Sequence, residues 1–185
     1  MSKRNNKGFT LVEIMIVVAI IALLAAIAIP NLLRARLNAN ENATVNTLKT
    51  MVAALNSFAG ANIASGVPTY PLTAAGAGSG FDALTSNSIA PPEPPYLELN
   101  WSEAVGPNNP PRRSGYSYTY NQQDTDADGI IERFWIDAIP LAYQTSGVRS
   151  FYVNEQGVVY GFDNAGAAAG AYSNGPPAAG WVVAE

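Results

Sequence analysis

The longest regularity in the chain is an apolar run near its start. From Ile14 to Ile29 there is no charged residue, and extending back to Phe9 gives 21 residues in which Thr10 and Glu13 stand out as polar. At about 1.5 Å per residue such a helix spans roughly 31 Å, the thickness of a hydrocarbon core. From Leu32 onward the pattern becomes amphipathic. Leu33, Leu37, Val45, Leu48, Val52, Leu55 and Ala59 recur at the spacing of one helical face. Asn38, Asn40, Glu41, Asn42, Asn46 and Lys49 are assigned to the other side, and Gly60 reads as the terminator. One helix of about 50 residues is predicted, membrane-spanning in its first half (9–30) and amphipathic in its second (31–60).

The period then changes. Residues 61–114 are poorly patterned: Gly76, Gly78 and Gly80 alternate with small residues, and Pro91-Pro92-Glu93-Pro94-Pro95 reads as polyproline II, a stiff spacer in preference to a binding segment. Strand signals begin at Tyr116, Tyr118 and Tyr120, which alternate with small polar residues. Arg133 to Ile139 alternates Phe134, Ile136 and Ala138 against Trp135 and Asp137. Arg149 to Val153 and Val158 to Phe162 flank Asn154-Glu155-Gln156-Gly157, a hairpin turn. About four short antiparallel strands (115–165) over the helix give an α+β architecture. A Gly-, Ala- and Pro-rich tail (166–185) is expected to be loose.

Charge is unevenly distributed. Lys3, Arg4 and Lys7 lie in the first eight residues; without those eight the formal charge is −7 instead of −4. An acidic body argues against nucleic-acid contact, which needs clustered Lys and Arg. The later basic pair, Arg112-Arg113, reads as a solvated loop. There is no Cys and no His. That excludes thiolate nucleophiles, Cys or His zinc sites, covalent haem and Ser-His-Asp triads, and with no paired-carboxylate motif the chain is not expected to be an enzyme. A secretory signal peptide fits poorly, because the run is too long and continues as helix instead of ending at an A-x-A-like site.

Glu13 is the informative residue of the apolar run, since a carboxylate within such a span is costly unless it reaches water or a cation. A chain beginning at Phe9 would place an α-amino group one helical turn away, or on a neighbouring copy. Lys7-Gly8-Phe9-Thr10-Leu11-Val12-Glu13, followed by the apolar stretch to Pro30, resembles the signature of the type IV pilin and type II secretion pseudopilin superfamily. The resemblance covers about the first 35 residues, with Ala22 where many relatives have Gly.

That resemblance implies a long N-terminal helix on an antiparallel sheet, and a leader, residues 1–8, cut between Gly8 and Phe9 by a prepilin peptidase that also N-methylates Phe9. It implies that Glu13 pairs with the Phe9 amine of an adjacent subunit, and that Pro30 marks a helix kink, as its missing N–H and ring clash also suggest. It implies a homo-oligomeric helical filament built by an assembly platform and ATPase from a single-pass protein of the bacterial inner membrane, its body periplasmic or extracellular. The leader's positive charge agrees with a cytoplasmic start. The segment Arg149–Val153 with Gly157-Val158-Val159 is similar to the last hairpin of many pseudopilin-like proteins.

The sharpest chemical motif in the body is Asp124-Thr125-Asp126-Ala127-Asp128-Gly129. Three carboxylates at alternate positions before a Gly can converge on calcium, with the Ile130 carbonyl and Glu132 as further ligands and Asp137 as a conceivable outer one. Trp135 occupies the place of the usual bidentate Glu, and no helix pair flanks the loop. The other reading is a solvated acidic turn between strands. Asn42-Ala43-Thr44 matches a glycosylation sequon and is discounted for a bacterial protein of this type. The resulting expectation is a type II secretion pseudopilin acting in protein export. A type IV pilus subunit for adhesion, motility or DNA uptake is the alternative, and a membrane-anchored calcium-binding periplasmic module stands in a different class.

Overall fold

The computed structural model describes residues 9–64, 66–71 and 112–184. The leader with Gly8, the glycines 76, 78 and 80, and the proline run 91–95 lie outside the described residues. The chain separates into two compact units, Met1–Arg36 and Leu37–Glu185.

Helix α1 runs from Leu11 to Ala61, one residue past the expected terminator, with Pro30 inside it. In the first unit every large apolar side chain from Phe9 to Leu33 leaves at least half its surface uncovered by protein. This helix is long and apolar enough to cross a membrane. Nothing in its own unit removes that surface from water, so a hydrocarbon phase or other helices must do so.

In the second unit the remainder of α1 buries Val45, Leu48, Met51, Val52, Leu55 and Phe58 against a sheet. A short hairpin, β1 (Ile63–Ala64) and β2 (Val67–Pro68), follows the helix. Then comes a six-stranded antiparallel meander in chain order: β3 (Arg112–Arg113), β4 (Tyr116–Gln123), β5 (Arg133–Pro140), β6 (Ser150–Asn154), β7 (Tyr160–Phe162) and β8 (Val182–Val183). The α+β class is as expected. The strand count is not: six strands form the sheet where four were expected. Arg112-Arg113 is an edge strand, joined to β4 through Ser114 and Gly115, both at positive φ, the conformation a two-residue hairpin turn requires.

Alternation sets the faces. Tyr118 pairs with Ala138 and Ala138 with Phe151; Tyr120 pairs with Ile136 and Ile136 with Val153. These rows face the helix and are buried. Each tyrosine of β4 finds a polar partner for its hydroxyl, donating to the Arg149 carbonyl from Tyr116 (2.8 Å), to Thr44 Oγ1 from Tyr118 (3.3 Å) and to the Pro71 carbonyl from Tyr120 (3.0 Å). Gly147 lies directly under Tyr116: a Cβ there would come within 1.9 Å of the phenol oxygen, so no larger residue fits without displacing the ring.

The opposite face of the sheet is also covered, which the sequence reading did not anticipate. The segment between β7 and β8, expected to be loose, runs across it as a strap. Ala169 N–H donates to Asp137 (3.0 Å), Trp135 Nε1–H to the Gly170 carbonyl (3.0 Å), and Asn154 Nδ2–H and the Tyr152 hydroxyl to the Ser173 carbonyl (2.8 and 3.0 Å).

Glu41, assigned above to the solvent side of the helix, is instead buried. Its Oε1 accepts the N–H groups of Val148 (3.0 Å) and Arg149 (3.1 Å), and its Oε2 meets Arg149 Nε at 2.7 Å. Asn40 Nδ2–H donates to the Ser146 carbonyl beside it. Together they clamp the β5–β6 loop to α1. Glu41→Ala strands two backbone donors and a guanidinium. The expected loss is about 3 kcal/mol, the low end for a broken buried pair because Arg149 remains 38% exposed. Urea unfolding of the detergent-solubilised chain measures it, and an unchanged midpoint would remove the clamp from the account.

Candidate functional site

Two places carry chemistry, one in each unit. The first is the start of α1. Phe9 is exposed and precedes the helix. Glu13 Oε2 accepts both the backbone N–H of Thr10 (2.8 Å) and its hydroxyl (2.8 Å), while Glu13 N–H donates to Thr10 Oγ1 at 3.3 Å. This is a capping box: Thr10 is the N-cap and Glu13 the N3 residue, each satisfying an orphan donor of the other. The Thr-x-x-Glu spacing of Thr10 and Glu13 at the head of an apolar run is the sequence signal for it. Within a single copy, then, Glu13 is already engaged locally, and its carboxylate sits at the helix N-terminus, where the macrodipole favours a negative charge. Helical backbone continues through Pro30, which has no N–H to offer the Ala26 carbonyl.

The second place is the loop between β4 and β5. Ligand oxygens of Asp124, Asp126, Asp128 and Glu132 all lie within 4.8 Å of one another. Asp124 organises the loop: it accepts N–H groups from Ala127 (2.6 Å) and Gly129 (2.9 Å) and, at 3.3 Å, from Asp126. Glu132 accepts the Thr125 N–H (2.8 Å), and Asp128 that of Ile130 (2.8 Å). The chain turns at Ala127 and Gly129, both at positive φ.

The electrostatics separate two of these acids. The Gly129 N–H, with weaker help from Ala127, Asp126 and Asp128, holds the Asp124 carboxyl below its ordinary range. Partial desolvation in the loop, then the carboxylates of Asp128, Glu132 and Asp124, push Asp126 up. Asp124 is thus held by three backbone N–H groups, whereas Asp126 accepts only the Asp128 N–H, at 3.3 Å, and is both partly desolvated and repelled by its neighbours, an arrangement a hard dication would relieve.

Of the predicted ligands, the structure brings the four carboxylates together. Ile130 lies in the same loop with its side chain buried. Asp137 belongs to a different environment: it is buried on the sheet face under the strap. Trp135 likewise turns its indole to the strap and away from any ligand role.

Comparison with known proteins bears on the segment that holds the first site. A family model described as the prokaryotic N-terminal methylation motif matches residues 3–29. Type IV wide pilus major component PilA4 of Thermus thermophilus is 57% identical over 49 residues, 26% of this chain and 37% of that protein. Type II secretion system core protein G of Aeromonas hydrophila is 34% identical over 94 residues, 51% and 59% of the two chains. The same-named protein of Vibrio cholerae is 32% identical over 135 residues, 73% of this chain and 82% of that one. A match of 135 residues cannot fit inside a 51-residue helix, so the likeness extends into the body. The first relatives are matched over only 24–59% of their own length. No solved structure gives a significant match.

A methylation-motif helix carrying an α+β body defines the pilin-like class. The chain belongs to the type IV pilin and type II secretion pseudopilin superfamily.

The loop analysis generates a metal-free expectation. In chelator, Asp124→Ala lowers the melting temperature, because three backbone N–H groups lose their acceptor. Asp126→Ala lowers it less or not at all, because the loss of one 3.3 Å acceptor for the Asp128 N–H is offset by relief of the repulsion from Asp128, Glu132 and Asp124. Equal effects, read by thermal circular dichroism, would contradict this division of roles.

Proposed function

We propose that this protein is a structural subunit of a pseudopilin-type filament that serves protein export by type II secretion. It has no catalytic role. It is made with a leader, residues 1–8, which a prepilin peptidase removes between Gly8 and Phe9 before N-methylating Phe9. It then resides in the bacterial inner membrane through α1, body on the periplasmic or extracellular side. An assembly platform and ATPase draw it into a helical homo-oligomer. The observation that carries this reading is a methylation-motif helix whose large apolar side chains each leave half or more of their surface without protein cover in their own unit. The lean toward secretion rests on the matches to core protein G, which reach beyond the helix.

In this reading the Phe9 amine of one subunit meets Glu13 of the next. The local capping bonds give way, and an ion pair forms where water is excluded. Pro30 supplies the bend in the helix. The 57% match to a pilus component favours a second reading, a type IV pilus subunit, but it covers no more than 49 residues.

Two variants test the proposal. Gly8→Val leaves the leader attached, seen as an intact mass that still includes residues 1–8. Glu13→Ala leaves membrane insertion intact and reduces filament yield by about tenfold or more, the scale of one lost ion pair in a low-dielectric interface. Normal fibres from Glu13→Ala would remove the pairing. A chain that is never processed and never polymerises would fit a simple membrane-anchored calcium-binding module instead.

We further propose that Asp124, Asp126, Asp128 and Glu132, with the Ile130 carbonyl, hold one calcium ion, which would cancel the repulsion of the clustered carboxylates and fix the β4–β5 turn. Support comes from the four convergent oxygens and from Asp126, whose carboxylate is disfavoured by partial desolvation and by its acidic neighbours. Calcium well above its Kd raises the melting temperature of a fragment beginning at Leu37 by about 5–10 °C. Asp126→Ala abolishes the shift. No shift at millimolar calcium would leave an acidic turn.

A further inference from the structure

Asp137 is a buried carboxylate that neither the filament chemistry nor the calcium loop uses. It is 4% exposed, lies in the middle of β5, and faces the strap. Its Oδ1 accepts the Ala169 N–H at 3.0 Å and its Oδ2 the Asn121 amide at 3.1 Å. Both donors are neutral, and no cationic side chain among the described residues pairs with it. From β6 the titratable group facing it is Tyr152, directly across the ladder, whose hydroxyl donates to Ser173 and is pushed up to about 12, chiefly by burial. From β4 the paired residue is Thr119. On the strap, Tyr172 is engaged by Glu155 and lies 5.1 Å from the Arg133 guanidinium, so those charges are directed to it.

We infer that the C-terminal strap is a proton-linked clasp, closed over the sheet when Asp137 is neutral and loosened when its carboxylate ionises. An anion sealed from water without a counter-charge is expensive, and lifting the strap restores its hydration. Ala169, Asn121 and the Trp135 side chain oppose this by stabilising the anion, but neutral donors do not replace a hydration shell. Burial accordingly raises the Asp137 pKa to about 6 against these hydrogen bonds. A group whose pKa is higher in the closed state stabilises closure fully below its ordinary carboxylate value, and that stabilisation is lost as pH rises through about 6. The chain has no Cys with which to lock this segment covalently, so its attachment rests on these polar contacts.

Hydrogen exchange of the full chain in detergent, corrected for intrinsic rates, tests the clasp. Strap peptides spanning residues 163–175 should be protected about tenfold more at pH 5 than at pH 7.5. Peptides from β4 to β6 in the same sample should change much less. Asp137→Asn, which keeps an acceptor and removes the titration, should flatten the strap response. Asn121→Leu removes a donor to the anion and should move the midpoint upward. A wild-type strap indifferent to pH, a response of equal size throughout the sheet, or an unaltered response in Asp137→Asn would each overturn the inference.

Discussion

The contact between the second half of α1 and the tyrosine-lined face of the sheet is the constraint on which the body depends. A helix offers one stripe and a strand one face, and each must bury its apolar side against the other. Here Leu48, Met51 and Leu55 meet Tyr118, Phe134, Ile136 and Phe151, all without measurable exposure. Full burial of such side chains contributes about 1.5–3 kcal/mol each relative to exposure. The tyrosines add a condition that aliphatic residues would not. Each buried phenol requires an acceptor, and those acceptors lie on Arg149, Thr44 and Pro71. The sheet is therefore registered against the helix and its loops by polar geometry as well as by packing.

The same requirement explains Glu41. A helix presses a loop backbone against itself, and the N–H groups of Val148 and Arg149 need a partner there. One carboxylate satisfies both and holds Arg149 as well. A buried acid is tolerable because its donors surround it. Asp137 is the contrasting case in the same body, with neutral donors and, among the described residues, no paired cation.

Much of this was legible in the residues and some was not. Period-2 alternation located the start of β4 and both ends of β5 within a residue, though β4 runs three residues past Tyr120, and the Asn154–Gly157 turn located the β6–β7 connection, because tightly patterned, half-buried strands announce themselves. Arg112-Arg113 and Val182-Val183 did not, because two-residue edge strands have no period and are defined by what they pair with. The order of the strap is hidden in the sequence for a related reason. Gly-, Ala- and Pro-rich composition reports weak local preference, while its order comes from Trp135, Tyr152 and Asn154 on distant strands. Glu41 was recoverable: it stands four residues before Val45 and seven before Leu48, on the buried stripe, and its charge hid its position. The convergence of the four loop carboxylates followed from their spacing, but the opposite environments of Asp124 and Asp126 depend on where backbone N–H groups point.

The capping box at the head of α1 bears on what Glu13 does. Thr10 supplies two hydrogen bonds and so answers the geometric need of the carboxylate. Both donors are neutral, and hydrogen bonding to neutral donors leaves the net charge in place. In water that charge is cheap; among apolar side chains with no water it is not. A capped, isolated subunit therefore suits an interface, where the helix start can reach headgroups, and suits a dry bundle poorly. An α-amino group is different, because it donates hydrogen bonds and cancels the charge together. On this argument the same carboxylate serves two environments in turn. Thr10 keeps the lone helix start ordered, and in the proposed filament a neighbouring amine makes the site neutral.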